Sequence, residues 1–238
     1  DLETLRTFFT SAIKGVVSSQ VQETLENPQV KVDAQPYEQT GNFRRPSLLD
    51  YLVPGYSLMF VYFLIPSLAL TVIEERQTGT LRRLLVAPLA RSQILLGKLL
   101  PYFLIAIGQF IFVLVASRLL FGIDLGNSTA ALAIMIVTSA LAMAGLGILI
   151  ATFARSEGQA DGLSTIIVLA MAVISGAMFP NIAIPGLQTI TPHYWAMQGF
   201  LNVTLHGQGV SGVLGPAGIL LTMAALFFTV GAVRFRFE

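Results

Sequence analysis

Long apolar runs without ionisable side chains dominate this chain. Five appear, at residues 52–73, 99–117, 129–154, 162–179 and 212–233, and none contains Asp, Glu, Lys, Arg or His. A bilayer core about 30 Å thick is crossed by roughly 20 helical apolar residues, and a central charge costs roughly 2.5–3.5 kcal/mol on the insertion scale. The runs therefore predict five membrane-spanning helices. The fourth is short and is followed by Pro180 and an apolar stretch, 181–205, broken by Pro185 and Pro192 and carrying Tyr194 and Trp195. Aromatic residues favour the headgroup level, and broken backbone at membrane depth needs protein cover, so one or two short interfacial or re-entrant helices are expected there. Ahead of the first run, Leu5, Phe8, Phe9, Ile13, Val16, Val17, Val21 and Leu25 recur at helical spacing until Asn27-Pro28, which predicts an amphipathic helix. Strand-like alternation begins over 30–37, and 39–46 reads as a loop.

The expected fold class is all-α: a polytopic membrane helix bundle of about five spans, residues 51–238, after a short extracytoplasmic segment, residues 1–50. One helix and one strand cannot close a core, so that segment reads as the end of an extracytoplasmic domain. Asp1 in place of Met, with no signal-peptide pattern after it, reads as the tail of a longer polypeptide.

Composition supports a lipid environment. Of 238 residues, 54% are apolar and 11% charged, against roughly 25% charged in a soluble domain. A net charge of +1 gives no basic footprint for nucleic acid. The absence of cysteine excludes disulfides, a thiolate nucleophile and cysteine-based metal sites. Basic residues are retained on the cytoplasmic side of spans. Arg76, Arg82, Arg83, Arg91, Lys98, Arg155, Arg234 and Arg236 fall on one side, whereas near the span ends the other side carries Arg118 and, before the first span, Arg44 and Arg45. Five spans then place the N-terminus outside and Glu238 in the cytoplasm; the expected location is a cell's inner membrane, bacterial or archaeal by the family resemblance given below.

Ion-driven transporters and intramembrane hydrolases keep ionisable groups inside the membrane. None of the five runs holds one. Arg118, Asp124 and Asp161 sit at run boundaries and read as interfacial anchors. His193 and His206, with no carboxylate between them, make a poor zinc site. Nothing local supports a triad from Ser139, His193 and Asp124. Gly97-Lys98 lacks the upstream glycine of a phosphate-binding loop, so no catalytic, metal or cofactor site is expected in this chain.

The informative polar segment lies between the first two runs. Thr78 or Thr80 can cap a short helix, Leu81, Leu84 and Leu85 share one face, and Pro88 ends it. Arg82 and Arg83 are left for acidic groups or lipid phosphates. An interfacial helix and a docking surface for a cytoplasmic partner both satisfy this pattern.

The run Glu74-Glu75-Arg76, Gly79-Thr80-Leu81, Leu85-Val86-Ala87-Pro88-Leu89 and Ile94-Leu95-Leu96-Gly97-Lys98 resembles the signature after the second span of ABC-2-type permeases, the membrane subunits of ATP-binding-cassette exporters. Val53-Pro54-Gly55 resembles that family's entrance to the same helix, and Phe179-Pro180, Ile184-Pro185, Pro192 and Trp195-Ala196 resemble its last outer loop. The resemblance covers about residues 52–233; the family's first span and most of its external domain would precede Asp1. It implies that Thr80, Leu81, Arg82, Arg83, Leu84, Leu85 and Pro88 form a coupling helix seated in a nucleotide-binding subunit, which holds the ATP and Mg2+. It also implies gate charges at Glu74, Glu75 and Arg76, and a second permease chain, identical or not. The first and fourth runs would line a pathway between the two chains through Tyr56, Ser57, Tyr62, Ser67, Ser164, Thr165 and Ser175. A wall of aliphatic and hydroxyl groups suits an amphipathic or lipid-like substrate or drug. The competing functions are passive membrane anchoring and secondary transport.

Overall fold

A computed structural model describes residues 48–80, 91–179 and 186–234. The amphipathic helix and strand expected before residue 48, residues 81–90 and residues 180–185 lie outside the described residues. Among the described residues there are seven α-helices and no strand: α1 Leu48–Tyr62, α2 Leu64–Gln77, α3 Arg91–Phe121, α4 Thr129–Phe153, α5 Glu157–Ile174, α6 Pro192–Thr204 and α7 Val210–Arg234. Five stretches are long and apolar enough to cross a membrane, Leu49–Glu75, Gln93–Phe121, Thr129–Phe153, Glu157–Ile174 and Val210–Arg234. They coincide with the five charge-free runs, so the all-α membrane bundle is the observed architecture.

Three of the differences from the sequence expectation have a clear local reason. The first span is two helices with Phe63 between them. Pro66 has no N–H for the Tyr62 carbonyl and its ring crowds that carbonyl, which interrupts the ladder at this point. Helix α3 begins eight residues before the charge-free run of the second span and runs through Lys98, which is paired with Glu75 of α2. The fourth ends at Ile174 rather than 179. Gly176 takes φ +78, a left-handed conformation that suits glycine, and the Gly176 and Met178 amides donate to Val173 and Ala172 carbonyls in a terminating turn.

Helix α4 is the centre of the bundle, with buried residues on every face. Its small side chains allow that. In lipid no hydrophobic force draws apolar helices together, so close packing by small residues must do so. A β-carbon on Gly145 would stand 2.9 Å from the Ala224 carbonyl oxygen of α7. Thr152 Oγ1 donates to the Gly231 carbonyl at 3.3 Å, and the Arg234 guanidinium lies 4.8 Å from the Phe153 ring centroid. Around α4 the larger core joins α1, α3, α6 and α7 through Leu58, Tyr62, Phe110, Met135, Phe200 and Leu220. A second core under α2 and the start of α3 contains Leu68, Val72, Ile73, Leu95 and Ile148. Helix α3 leaves Leu100, Leu104, Phe112 and Leu119 exposed, as a lipid-facing helix does. An apolar groove of about 580 Å3 runs between α3, α4 and α7, past Phe103, Leu141, Leu221 and Phe228.

Helix α6 fills the loop before the last span. Thr191 Oγ1 accepts from the Tyr194 amide at its N-cap and Pro192 occupies the first turn, where a missing N–H costs nothing. One three-residue 3-10 turn, Gln188–Ile190, precedes it. These are the short helices that the proline-broken stretch predicts.

Candidate functional site

The polar groups of α2 and α3 gather at one end of the bundle. Helix α2 closes with the Thr78 amide on the Glu74 carbonyl, and Gly79, at φ +73, turns the chain away. Thr78 Oγ1 lies 3.1 Å from Thr80 Oγ1. Glu74 is exposed. Glu75 turns inward to form an ion pair with Lys98 of α3, whose side chain is only 8% exposed against 29% for the glutamate. One turn deeper, Tyr102 Oη sits 2.5 Å from Thr71 Oγ1 and donates to the Ser67 carbonyl at 3.1 Å.

Lys98 and Arg118 are twenty residues apart on one helix, about 30 Å at 1.5 Å per residue, the thickness of a hydrocarbon core. The Glu75–Lys98 pair therefore belongs at the membrane edge, and the Tyr102 bonds lie just inside it. Residues 81–90, which carry Leu81, Arg82, Arg83, Leu84, Leu85 and Pro88, and the Arg76 side chain lie outside what the structure describes.

The residues expected along a pathway divide by exposure. Ser67 is exposed and Tyr56 and Thr165 are half-buried, whereas Ser57, Tyr62, Ser164 and Ser175 are buried within the chain. Ser57 Oγ donates to the Val53 carbonyl at 2.6 Å and Ser175 Oγ to that of Ala172 at 3.2 Å, so both hydroxyls serve their own helix. Lys98, Thr71 and Tyr102 were not among the expected site residues. The four-residue spacing of Lys98 and Tyr102, matched by that of Ser67, Thr71 and Glu75, is the available signal.

At the other end, α1 closes against the end of α5. Tyr51 Oη donates to the Gly176 carbonyl at 3.0 Å, and the Ala177 carbonyl occupies the space a side chain on Gly55 would need. Nearby, the fully buried His193 of α6 packs on Tyr62 with ring centroids 4.2 Å apart. Tyr62 Oη reaches the Ser139 carbonyl at 3.5 Å. Both His193 ring nitrogens and Ser139 Oγ lack a hydrogen-bond partner among the described residues. Burial pushes the imidazole down to about 3 and so favours its neutral form. His206 stands apart, with Nδ1 3.2 Å from Asn202 Oδ1.

The chain matches the family described as "ABC-2 family transporter protein" over residues 2–233. It is 34% identical over 186 residues to the linearmycin resistance permease protein LnrN of Bacillus subtilis, covering 76% of this chain and 48% of that protein. It is 26% identical over 173 residues to the inner membrane transport permease YhhJ of Escherichia coli, covering 69% and 46%. A third relative, the Escherichia coli "Probable multidrug ABC transporter permease YbhR", is 30% identical over 149 residues, covering 57% and 40%. The chain thus spans about half the length of the curated relatives it matches. A bundle of five apolar spans matched to this family from end to end is an integral membrane protein, and the chain belongs to the ABC-2 family of transporter proteins.

Proposed function

We propose that this chain is the pathway-forming part of an ATP-driven exporter and takes its energy from a separate nucleotide-binding subunit. The observation that carries the reading is the family match joined to a charged turn at the end of α2, followed by the leucine-faced segment 80–88. Leu81, Leu84 and Leu85 are the contact face and Arg82 and Arg83 the polar rim, with Thr80 and Pro88 as its ends. ATP and Mg2+ belong to the partner. Two permease chains, identical or different, enclose the pathway, and Tyr56, Ser67 and Thr165 are the hydroxyl groups this chain offers to it. The relatives' names, a resistance permease and a multidrug permease, favour an amphipathic or lipid-like drug as cargo. The membrane is the inner membrane of a bacterium or archaeon, with the cluster of Arg and Lys on the cytoplasmic side.

The test is association. Each leucine buried at the contact contributes about 1.5–3 kcal/mol, so Leu84→Asp with Leu85→Asp should cut co-purification of the nucleotide-binding subunit about a hundredfold or more. Unchanged association, or solute movement by the permease with no ATP hydrolysed, refutes the reading in favour of an anchor or a gradient-driven carrier.

A further inference from the structure

Ser67, Thr71 and Glu75 recur every fourth residue along α2, and Lys98 and Tyr102 do so along α3, which sets each group in a row on one helix face. The rows meet. Glu75 pairs with Lys98, and Tyr102 Oη, Thr71 Oγ1 and the Ser67 carbonyl lie within 2.5–3.1 Å of one another, a cluster of three oxygens joined by the two hydroxyl protons. The rest of this contact is apolar, built from Leu68, Val72, Ile94, Leu95 and Leu99. Apolar surfaces slide past one another in lipid at little cost. Hydrogen bonds just inside the membrane do not, because a partner lost there is not replaced by water, and the half-buried ion pair at the membrane edge adds a directional tie between the same two helices.

Two further features give the row a mechanical sense. It lies on the two helices that flank residues 78–90. The helix α2 that carries it is separated from α1 by the interruption at Phe63.

We propose that the Glu75–Lys98 pair and the Tyr102–Thr71–Ser67 hydrogen bonds lock α2 and the first turns of α3 into one rigid strut. A push on the segment between them then moves both helices together and bends the first span at Phe63. Lys98, Tyr102 and Thr71 are positioning residues in this scheme, which rests on the coupling function proposed above.

Spin labels on the exposed Glu74→Cys and Leu96→Cys report the strut, and labels on Glu74→Cys and Glu157→Cys report its movement against α5. Both pairs are measured in the full-length permease with its ATPase, nucleotide-free and trapped with ATP and vanadate. The 74–96 distance should hold within about 2 Å while the 74–157 distance shifts by more than that. Glu75→Gln with Lys98→Gln, or Thr71→Val with Tyr102→Phe, should broaden the 74–96 distribution on trapping and shrink the 74–157 shift at least twofold. The charge swap Glu75→Lys with Lys98→Glu should restore both.

A 74–96 distance that changes on trapping in the unmodified row overturns the strut alone. So do variants that broaden 74–96 equally in both states while leaving the 74–157 shift intact. If neither distance responds to nucleotide, the coupling reading falls and the strut with it.

Discussion

At Gly55 the lack of a side chain sets how closely α1 can approach the end of α5. Any β-carbon there meets the Ala177 carbonyl, a backbone group that cannot rotate away. Gly55→Val should therefore cost about 1–3 kcal/mol, read as a lower unfolding temperature in detergent. Gly97→Ala is the control, since nothing lies within 4 Å of its β-carbon, and should gain about 0.5–1 kcal/mol by helix propensity. His193 gives a pH signature. Its folded pKa is depressed to about 3 from 6.5, so the unfolded chain binds the extra proton first. Stability is whole above about 6.5 and drains as pH falls toward 3, by up to about 2 kcal/mol at pH 5, and His193→Phe should remove that component. Unfolding curves of both proteins at pH 7 and pH 5 check the sign. Neither role was legible in the sequence. Val53-Pro54-Gly55 stands out as a motif, but the carbonyl that demands the glycine is more than a hundred residues away, and the burial of His193 depends on which face Tyr62 turns.

At the scale of the elements, each span was legible and its ends were not. Counting charges stops a span at the first ionisable group, which is right when that group meets water. Lys98 instead meets Glu75 from another helix, so α3 runs on through it. The five-residue excess expected for α5 has the opposite cause: the chain stays apolar past the point where Gly176 reverses it. The start of α5 is written in local signals. Ser156 Oγ accepts from the Gln159 amide, and Gln159 Oε1 accepts from the Arg155 amide, in the manner of a capping box. Ser156→Ala should cost about 1 kcal/mol and, since α5 has few turns to spare, appear as hydrogen exchange about fivefold faster at residues 157–160 with little change in α4.

For the whole molecule, the order of spans follows from hydropathy and their sidedness from where the cations fall. The rotation of each helix, which decides what faces lipid, core or pathway, follows from neither. Ser57, Tyr62 and Ser175 share the polar character of Ser67 yet turn into the bundle, because in an apolar span a hydroxyl can satisfy itself on the preceding turn or on a neighbouring helix; Ser164 turns in as well, with no partner for its hydroxyl among the described residues. Sidedness can be tested directly because these 238 residues contain no cysteine. Single cysteines at the exposed Asn127 and Gln208 should react with a membrane-impermeant maleimide on intact cells, and cysteines at Gln77 and Glu157 only after permeabilisation. All four positions lie at helix ends or in loops, where the label perturbs little packing. The opposite pattern would place the 78–91 segment outside, away from any source of ATP. It would overturn the proposed coupling even with every helix where the structure has it, because the fold would then have no route by which hydrolysis could reach the membrane.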